Sequence, residues 1–391
     1  MVKDALLSLL EEGRGGFLSG EEVAARLGVT RNAVWKAAEA LRQAGYPVEA
    51  VKNRGYRLAE GSDKLSPQGI GKYLSACPPV RVEVLPSAPS TNDLVRARAE
   101  AGEAEGLVLI AEEQTAGRGR LARPFYSPRG SGLYMSLLLR PVRYTAAQAV
   151  GITSAAAVAV CDAVGRVCGR EARIKWVNDV FIGGKKACGI LTEASVSMED
   201  NCLRYVVLGI GINVYEPAGG FPPPLDAIAA AVFPAPCGDG KNKLAAAVLE
   251  RFFALYVRLD DPAVMEEYRR RSCVVGQEID VLTAQGSRAA RALDIGADGH
   301  LLVRYADGSE EKLYAGEIGI RVRDSRAPAP DSRAPDRCTS APDNRAPAPD
   351  NRAPAPDNRA PAPDNRAPDS RPPASDNCAP APDGRFGEGR A

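Results

Sequence analysis

Gln114-Thr115-Ala116-Gly117-Arg118-Gly119-Arg120 stands directly after an apolar run, Gly106 to Ala111, whose composition predicts a buried strand. Glycine alternating with arginine lets the backbone approach a ligand closely while two guanidiniums converge on it. Guanidinium is the natural partner of carboxylate and phosphate oxygens, through paired hydrogen bonds. Arg123 adds a third positive charge nearby. A solvated surface loop is the plainer reading of the same residues.

Three other stretches bear on the same chemistry. Ile174-Lys175-Trp176-Val177-Asn178-Asp179 runs through Val180-Phe181-Ile182 into Gly183-Gly184, then Lys185-Lys186-Ala187-Cys188-Gly189-Ile190-Leu191. Gly-Gly between two apolar runs predicts a tight hairpin. Lys186 then starts the return strand, where it either stabilises charge developing on a phosphoryl group or faces solvent. The spacing is not that of a Walker A loop. Val206 to Val214 alternates, with Leu208, Ile210, Ile212 and Val214 on one face and Gly209, Gly211 and Asn213 on the other. A face stripped of side chains suits a ligand floor, and equally suits close packing. Upstream, Ser90-Thr91-Asn92-Asp93 lies between a strand, Val80 to Leu85, and a helical pattern, where small polar side chains either cap the helix or bind a polar ligand.

Further outward, the N-terminus reads as a winged helix. Leu6, Leu7, Leu9 and Leu10 give a first helix its apolar face. Ser19 and Glu22 form a capping box, and the short helix it starts carries Val23 and Leu27 inward and stops at Gly28. Thr30 caps a second helix with Val34, Ala37, Ala38 and Leu41 inward. Val48 to Val51 and Tyr56 to Leu58, joined through Asn53-Arg54-Gly55, form the wing. Thr30, Arg31, Asn32, Trp35 and Lys36 on the recognition helix, with Lys52, Arg54 and Arg57 on the wing, are candidate DNA contacts. A dimerisation or docking module has the same topology. Beyond residue 271, short β-rich runs punctuated by Asp298-Gly299 and Asp307-Gly308 predict a small barrel.

Composition bounds the rest. Across 391 residues, 50 Lys and Arg nearly cancel 49 Asp and Glu, so attraction to nucleic acid must be local. A single histidine, His300, excludes His-rich metal sites and Ser–His–Asp triads. Nine scattered cysteines without CxxC spacing argue for reduced thiols. With no basic leader and no sufficiently apolar span, the expectation is a cytoplasmic protein without a membrane partner. From Asp324 the chain turns Pro-rich, with three tandem copies of Ala-Pro-Ala-Pro-Asp-Asn-Arg between Ala346 and Arg366, a composition expected to stay disordered. The expected domains are therefore 1–62, 63–271, 272–323 and a tail, 324–391.

Taken together, Ser90-Thr91-Asn92, Gln114 with Gly117-Arg118-Gly119-Arg120, Lys175-Trp176-x-Asn178-Asp179, Lys186-x-x-Gly189-Ile190-Leu191 and Gly209-Ile210-Gly211-Ile212-Asn213 resemble the bifunctional biotin–protein ligases that also repress biotin biosynthesis. Val177 stands where that family usually has proline. The resemblance implies an α+β fold, in which a winged helix-turn-helix precedes a central domain related to class II aminoacyl-tRNA synthetases and an SH3-like C-terminal barrel. It implies that biotin and ATP, with Mg²⁺, give biotinyl-5′-adenylate, from which biotin passes to a lysine of the biotin carboxyl carrier protein of acetyl-CoA carboxylase. Operator DNA and a ligand-induced homodimer are implied as well. By family position Ser90, Thr91, Asn92, Gln114, Arg118, Gly119, Arg120 and Lys186 bind biotin or its adenylate, with Arg118, Arg120 and Lys186 also stabilising charge. Lys175, Asn178, Asp179 and Asn213 support nucleotide, metal or pocket, with no protein metal ligand assigned. Glu317 and Arg321 match barrel positions facing the catalytic domain. Two other readings are a dedicated repressor that only senses biotin, and a lipoate–protein ligase.

Overall fold

The computed structural model describes residues 1–75, 78–145, 148–197, 199, 201–283, 286–314 and 316–320. Arg321, the side chain of Glu317 and the repeat tail lie outside the described residues.

The first hydrophobic core belongs to helices α1 (Val2–Glu12), α2 (Gly20–Leu27) and α3 (Arg31–Gln43) and a hairpin of β1 (Val48–Val51) and β2 (Gly55–Leu58). Local chemistry sets its boundaries. The Ser19 hydroxyl accepts from Glu22 N–H at 3.0 Å and Thr30 Oγ1 from Ala33 N–H at 3.2 Å, each satisfying an orphan donor of the helix it opens. Gly28 ends α2 in the left-handed region at φ 63°, which a residue without Cβ adopts at little cost. The four predicted leucines of α1, with Val23, Val34, Ala37, Ala38 and Leu41, are buried together with Val48 and Leu58.

The larger body follows: α4 (Pro67–Gly71), β3 (Arg81–Leu85), α5 (Thr91–Glu100), β4 (Leu107–Ala111), β5 (Gly132–Leu139), α6 (Ala149–Cys168), β6 (Arg173–Lys175), β7 (Asp179–Ile182), β8 (Lys185–Val196), β9 (Leu203–Asn213), α7 (Leu225–Ile228), α8 (Gly240–Tyr256) and α9 (Pro262–Arg270). Seven strands form one mixed sheet in the order β3-β4-β5-β9-β8-β7-β6, parallel only between β3 and β4. β4 is buried on both faces. Val108 and Ile110 join the main core, and Leu107 and Leu109 pack with Val95 and Ala99 of α5. Helix α6 is long and apolar enough to cross a membrane, but Ile152 to Val164, apart from Asp162, are buried against the sheet and α8, which makes it a core helix.

β10 (Glu278–Thr283), β11 (Gly286–Ile295), β12 (Leu301–Tyr305), β13 (Glu310–Leu313) and β14 (Glu317–Ile320) make a five-stranded antiparallel sheet in the order β13-β12-β11-β10-β14. Its turns fall at Gly299 and Gly308, both at positive φ, as the Asp-Gly pairs require. Ile279, Ala292, Leu301 and Val303 are continuous with the main core, so this unit is not a bead on a string. Nor is Gly61-Ser62-Asp63 a free linker. Ser62 is buried, and Asp63 accepts from the Tyr215 hydroxyl at 2.5 Å and from Lys241 N–H at 2.8 Å.

Candidate functional site

A cleft of about 760 Å³ opens between the start of α5, the loop 114–127, the β7–β8 hairpin, β9 and the segment 221–229. One wall is a continuous hydrogen-bonded chain. Ser90 caps α5, which puts Thr91 and Asn92 in its first turn. Thr91 N–H and hydroxyl lie 2.9 and 3.1 Å from Gln114 Oε1, and Gln114 Nε2 donates to the Ser127 hydroxyl at 3.1 Å. The Ser136 hydroxyl on β5 lies 2.7 Å from Thr91 Oγ1 and 2.6 Å from Asn92 Oδ1. Asn92 Nδ2 in turn donates to Glu193 at 2.7 Å. Ser90, Thr91, Asn92, Ser127 and Ser136 are buried, and hydrogen bonding among them and the half-buried Gln114 and Glu193 rigidifies the wall. The capping and the ligand-binding readings of Ser90 to Asn92 are therefore compatible.

The floor follows from β9. A Cβ on Gly209 would sit 2.2 Å from Asn92 Oδ1, and one on Gly211 2.6 Å from the Phe125 ring. The bare face thus serves both roles the alternation left open: it lines the cleft, and it lets Asn92 and Phe125 lie on the sheet. The Gly183-Gly184 turn is a two-residue hairpin with both φ positive, and Lys186 is on the return strand. Lys186 is not a lone charge, because its Nζ lies 2.7 Å from Asp179 Oδ1. Asn213 Nδ2 lies 3.4 Å from the Lys186 carbonyl.

The structure sets some of the predicted residues apart. The guanidiniums of Arg118 and Arg120 do not converge on one point. Arg118 pairs with Asp93 on α5 and lies 3.5 Å from Glu193, whereas Arg120 donates to Asn178 Oδ1 at 3.1 Å. Lys175 lies outside the cleft lining, its Nζ 5.4 Å from the centre of the Phe181 ring, because edge strand β6 turns its exposed side there. Ser127, Ser136, Phe125 and Glu193 were missed. Single residues in a loop or strand carry no motif, and only the fold gathers them. Cys188 also lines the cleft, and burial holds its thiol well above the ordinary range, which keeps it protonated and inert.

On the winged helix, Arg31, Asn32, Trp35, Lys36 and Lys52 are exposed, Trp35 by 52%. Thr30 is spent on its cap. The wing arginines are less free than the sequence suggests. Arg54 and Arg57 both lie over the Phe17 ring, 4.1 and 4.6 Å from its centre, and Arg57 also pairs with Glu49 at 2.7 Å.

A winged helix followed by a mixed sheet whose cleft joins a neutral polar wall to basic side chains defines a DNA-binding domain coupled to an anion-activating domain. The comparisons agree. Residues 84–213 match the Biotin/lipoate A/B protein ligase family and residues 3–57 match an HTH domain. The bifunctional ligase/repressor BirA of Bacillus spizizenii is 33% identical over 334 residues, covering 81% of this chain and 98% of that protein. The biotin–[acetyl-CoA-carboxylase] ligase of Mycobacterium tuberculosis is 31% identical over 207 residues, 51% of this chain and 74% of the relative. The biotin protein ligase of Aquifex aeolicus, solved with biotin and ATP, superposes with a TM-score of 0.52 at 24% identity over 62% of this chain and 98% of that one, which bears on the fold. The chain belongs to the bifunctional biotin ligase/repressor family, in which a helix-turn-helix domain precedes a biotin ligase domain.

Proposed function

We propose that this protein activates biotin with ATP, transfers it to a lysine of the biotin carboxyl carrier protein of acetyl-CoA carboxylase, and represses biotin genes as a ligand-induced homodimer on operator DNA, in the cytoplasm. The observation that carries the reading is one cleft whose lining joins a neutral hydrogen-bonding wall to Arg118, Arg120 and Lys186. The wall, from Ser90, Thr91, Asn92 and Gln114, suits an uncharged polar head, and Gly209 and Gly211 let Asn92 and Phe125 lie against the sheet beside it. The basic side chains suit a carboxylate and phosphates. A biotin carboxylate oxygen attacks the α-phosphorus, the bond to the β-phosphate oxygen breaks, and pyrophosphate leaves. The carrier lysine then attacks the adenylate carbonyl and AMP leaves. Joining two anions requires cations, which these side chains supply, and no enzyme nucleophile is needed.

Mg²⁺ fits as a passenger on the triphosphate. Among the described residues no three His, Cys, Asp or Glu are grouped to hold a metal, and Asp179 is the one carboxylate in the cleft lining. That is enough for an ion held mainly by phosphate oxygens and water. When bound it would neutralise phosphate charge, with Asp179 and Asn178 as its neighbours.

The domains run 1–62, 63–271 and 272–323, the last an SH3-like barrel, and the repeat tail 324–391 lies outside the described residues. Biotin-dependent pyrophosphate release by the full chain, with lipoate as control, tests the ligase. Equal turnover of lipoate, or none of biotin, would sink it. Gel shifts on the biotin-gene promoters with and without biotin plus ATP test the repressor, and equal affinity in both states would exclude ligand control.

A further inference from the structure

Glu193 on β8 sits where the polar wall of the cleft meets the Gly-Arg loop. Its carboxylate accepts from Asn92 Nδ2 at 2.7 Å and from Arg96 at 2.5 Å, and it lies 3.5 Å from the Arg118 guanidinium. Arg96 and Arg118 share a second anion, Asp93, so two cations and two carboxylates close on each other.

Asn92 is 5% exposed and both ends of its amide are committed. Oδ1 faces the Ser136 hydroxyl, and Nδ2 faces Glu193 and the Leu191 carbonyl at 3.4 Å. An amide fills nearly the same volume when turned over, so shape alone does not choose between its two orientations. Charge does. Glu193 and the Leu191 carbonyl can only accept, so a turned amide would set its own oxygen against a carboxylate. A buried acceptor left facing an anion is costly, whereas the observed orientation is a charge-assisted hydrogen bond.

We propose that Glu193 is a positioning residue of the ligase: one carboxylate that fixes the Asn92 amide in the cleft wall and ties Arg118 of the Gly-Arg loop to the same point. It transfers no proton and touches no substrate. The proposal deepens the reading of this cleft as the biotin and adenylate pocket and rests on it. The consequence is that the wall binding the neutral head and the loop carrying the positive charge share a single anchor.

The experiment uses the full-length protein, with pyrophosphate release at varied biotin and biotinylation of a bystander protein as readouts. Glu193→Gln keeps size and loses charge. It is expected to raise the biotin KM about tenfold, with kcat within about threefold, and to increase bystander biotinylation as the adenylate escapes past a loosened loop. Asn92→Ala and Glu193→Gln should be non-additive in KM, because the second acts through the first. The exchanged pair, Asn92→Asp with Glu193→Gln, restores a hydrogen bond with donor and acceptor reversed. It should recover most of the loss seen in Asn92→Asp alone, and this keeps the test decisive if Glu193→Gln folds poorly. An unchanged KM, additive effects in the cycle, or no recovery in the exchanged pair would overturn the proposal. Absence of any biotin turnover by the unmodified protein would instead strike the pocket reading beneath it.

Discussion

Replacing Lys72 with methionine tests what holds the winged helix against the ligase body. Lys72 caps the C-terminal end of α4 and faces two carboxylates, Glu11 at the end of α1 (2.7 Å) and Asp239 at the start of α8 (2.6 Å). Arg14, just after α1, faces the same two at 2.6 and 2.9 Å. The Glu11 and Asp239 side chains are 1% and 2% exposed, and those of Arg14 and Lys72 12% and 14%. Four charges from both cores thus close a neutral ring. Tyr73 and Asn242 add hydrogen bonds to Asp239 at 2.6 and 2.7 Å, and Arg14 donates to the Ser62 carbonyl at 2.7 Å. Lys72→Met keeps the length of the side chain and leaves two buried carboxylates facing one guanidinium. Breaking a buried set by removing one partner costs about 3–5 kcal/mol. Glu11→Gln with Lys72→Met removes one charge of each sign, so it should recover most of that loss, since replacing a whole buried pair is often close to neutral. Urea unfolding with hydrogen exchange on the α1–α3 amides reads the winged-helix transition separately from the body. A loss under about 1 kcal/mol in Lys72→Met, or a double variant no better than the single one, would show that the ring does not fix the junction.

Lys186→Ala should slow single-turnover adenylate formation on the order of 10²–10³-fold while circular dichroism stays native; near-normal turnover would remove Lys186 from the chemistry. Gly209→Ala drives a methyl to 2.2 Å from Asn92 Oδ1, so Asn92 must move, and biotin binding by calorimetry should weaken more than tenfold, with wild-type affinity contradicting the floor geometry. Burial pushes the Cys161 and Cys168 thiols up to about 12 and Cys188 well above its usual range, so all three stay protonated at pH 8. Exposed Cys237 should therefore be alkylated before them in a timed peptide map, and early labelling of Cys188 would mean the cleft wall opens. Arg31→Ala with Lys36→Ala should lower the salt slope of operator binding by about 0.9 for each phosphate no longer neutralised, with ligase activity kept. An unchanged slope would place the DNA elsewhere.

What was legible in the sequence was local. Ser19, Thr30 and Gly28 mark helix ends through bonds spanning three or four residues, and the Gly183-Gly184 turn fixes its own hairpin. Period-2 alternation likewise placed Gly209 and Gly211 on the cleft side of β9. What escaped was pairing at a distance. Ser136 meets Asn92 across 44 residues, Glu193 meets Asn92 across 101, and Arg14 meets Asp239 only because two cores pack. Nothing local distinguishes these from any other Ser, Glu or Arg. The Arg118 and Lys186 charges were legible as charges, but not as already paired. Phe17 shows the same limit, since an aromatic in a connecting turn gives no hint that two wing arginines will stack on it.

The pairing changes how the basic side chains of the cleft work. Arg118 is matched by Asp93 and Glu193, and Lys186 by Asp179, so each enters with its charge already answered. Arg120 meets only the neutral amide of Asn178 among the described residues. A matched cation can still serve an incoming anion, but it must exchange one partner for another, and the net gain is the difference between two similar interactions. An unmatched cation gives its whole attraction. Under the proposed chemistry, Arg120 supplies the standing pull on carboxylate and phosphate, while Arg118 and Lys186 add theirs as charge builds and their carboxylates are outcompeted. Stabilisation that grows toward the transition state is the kind that raises the rate rather than only tightening binding.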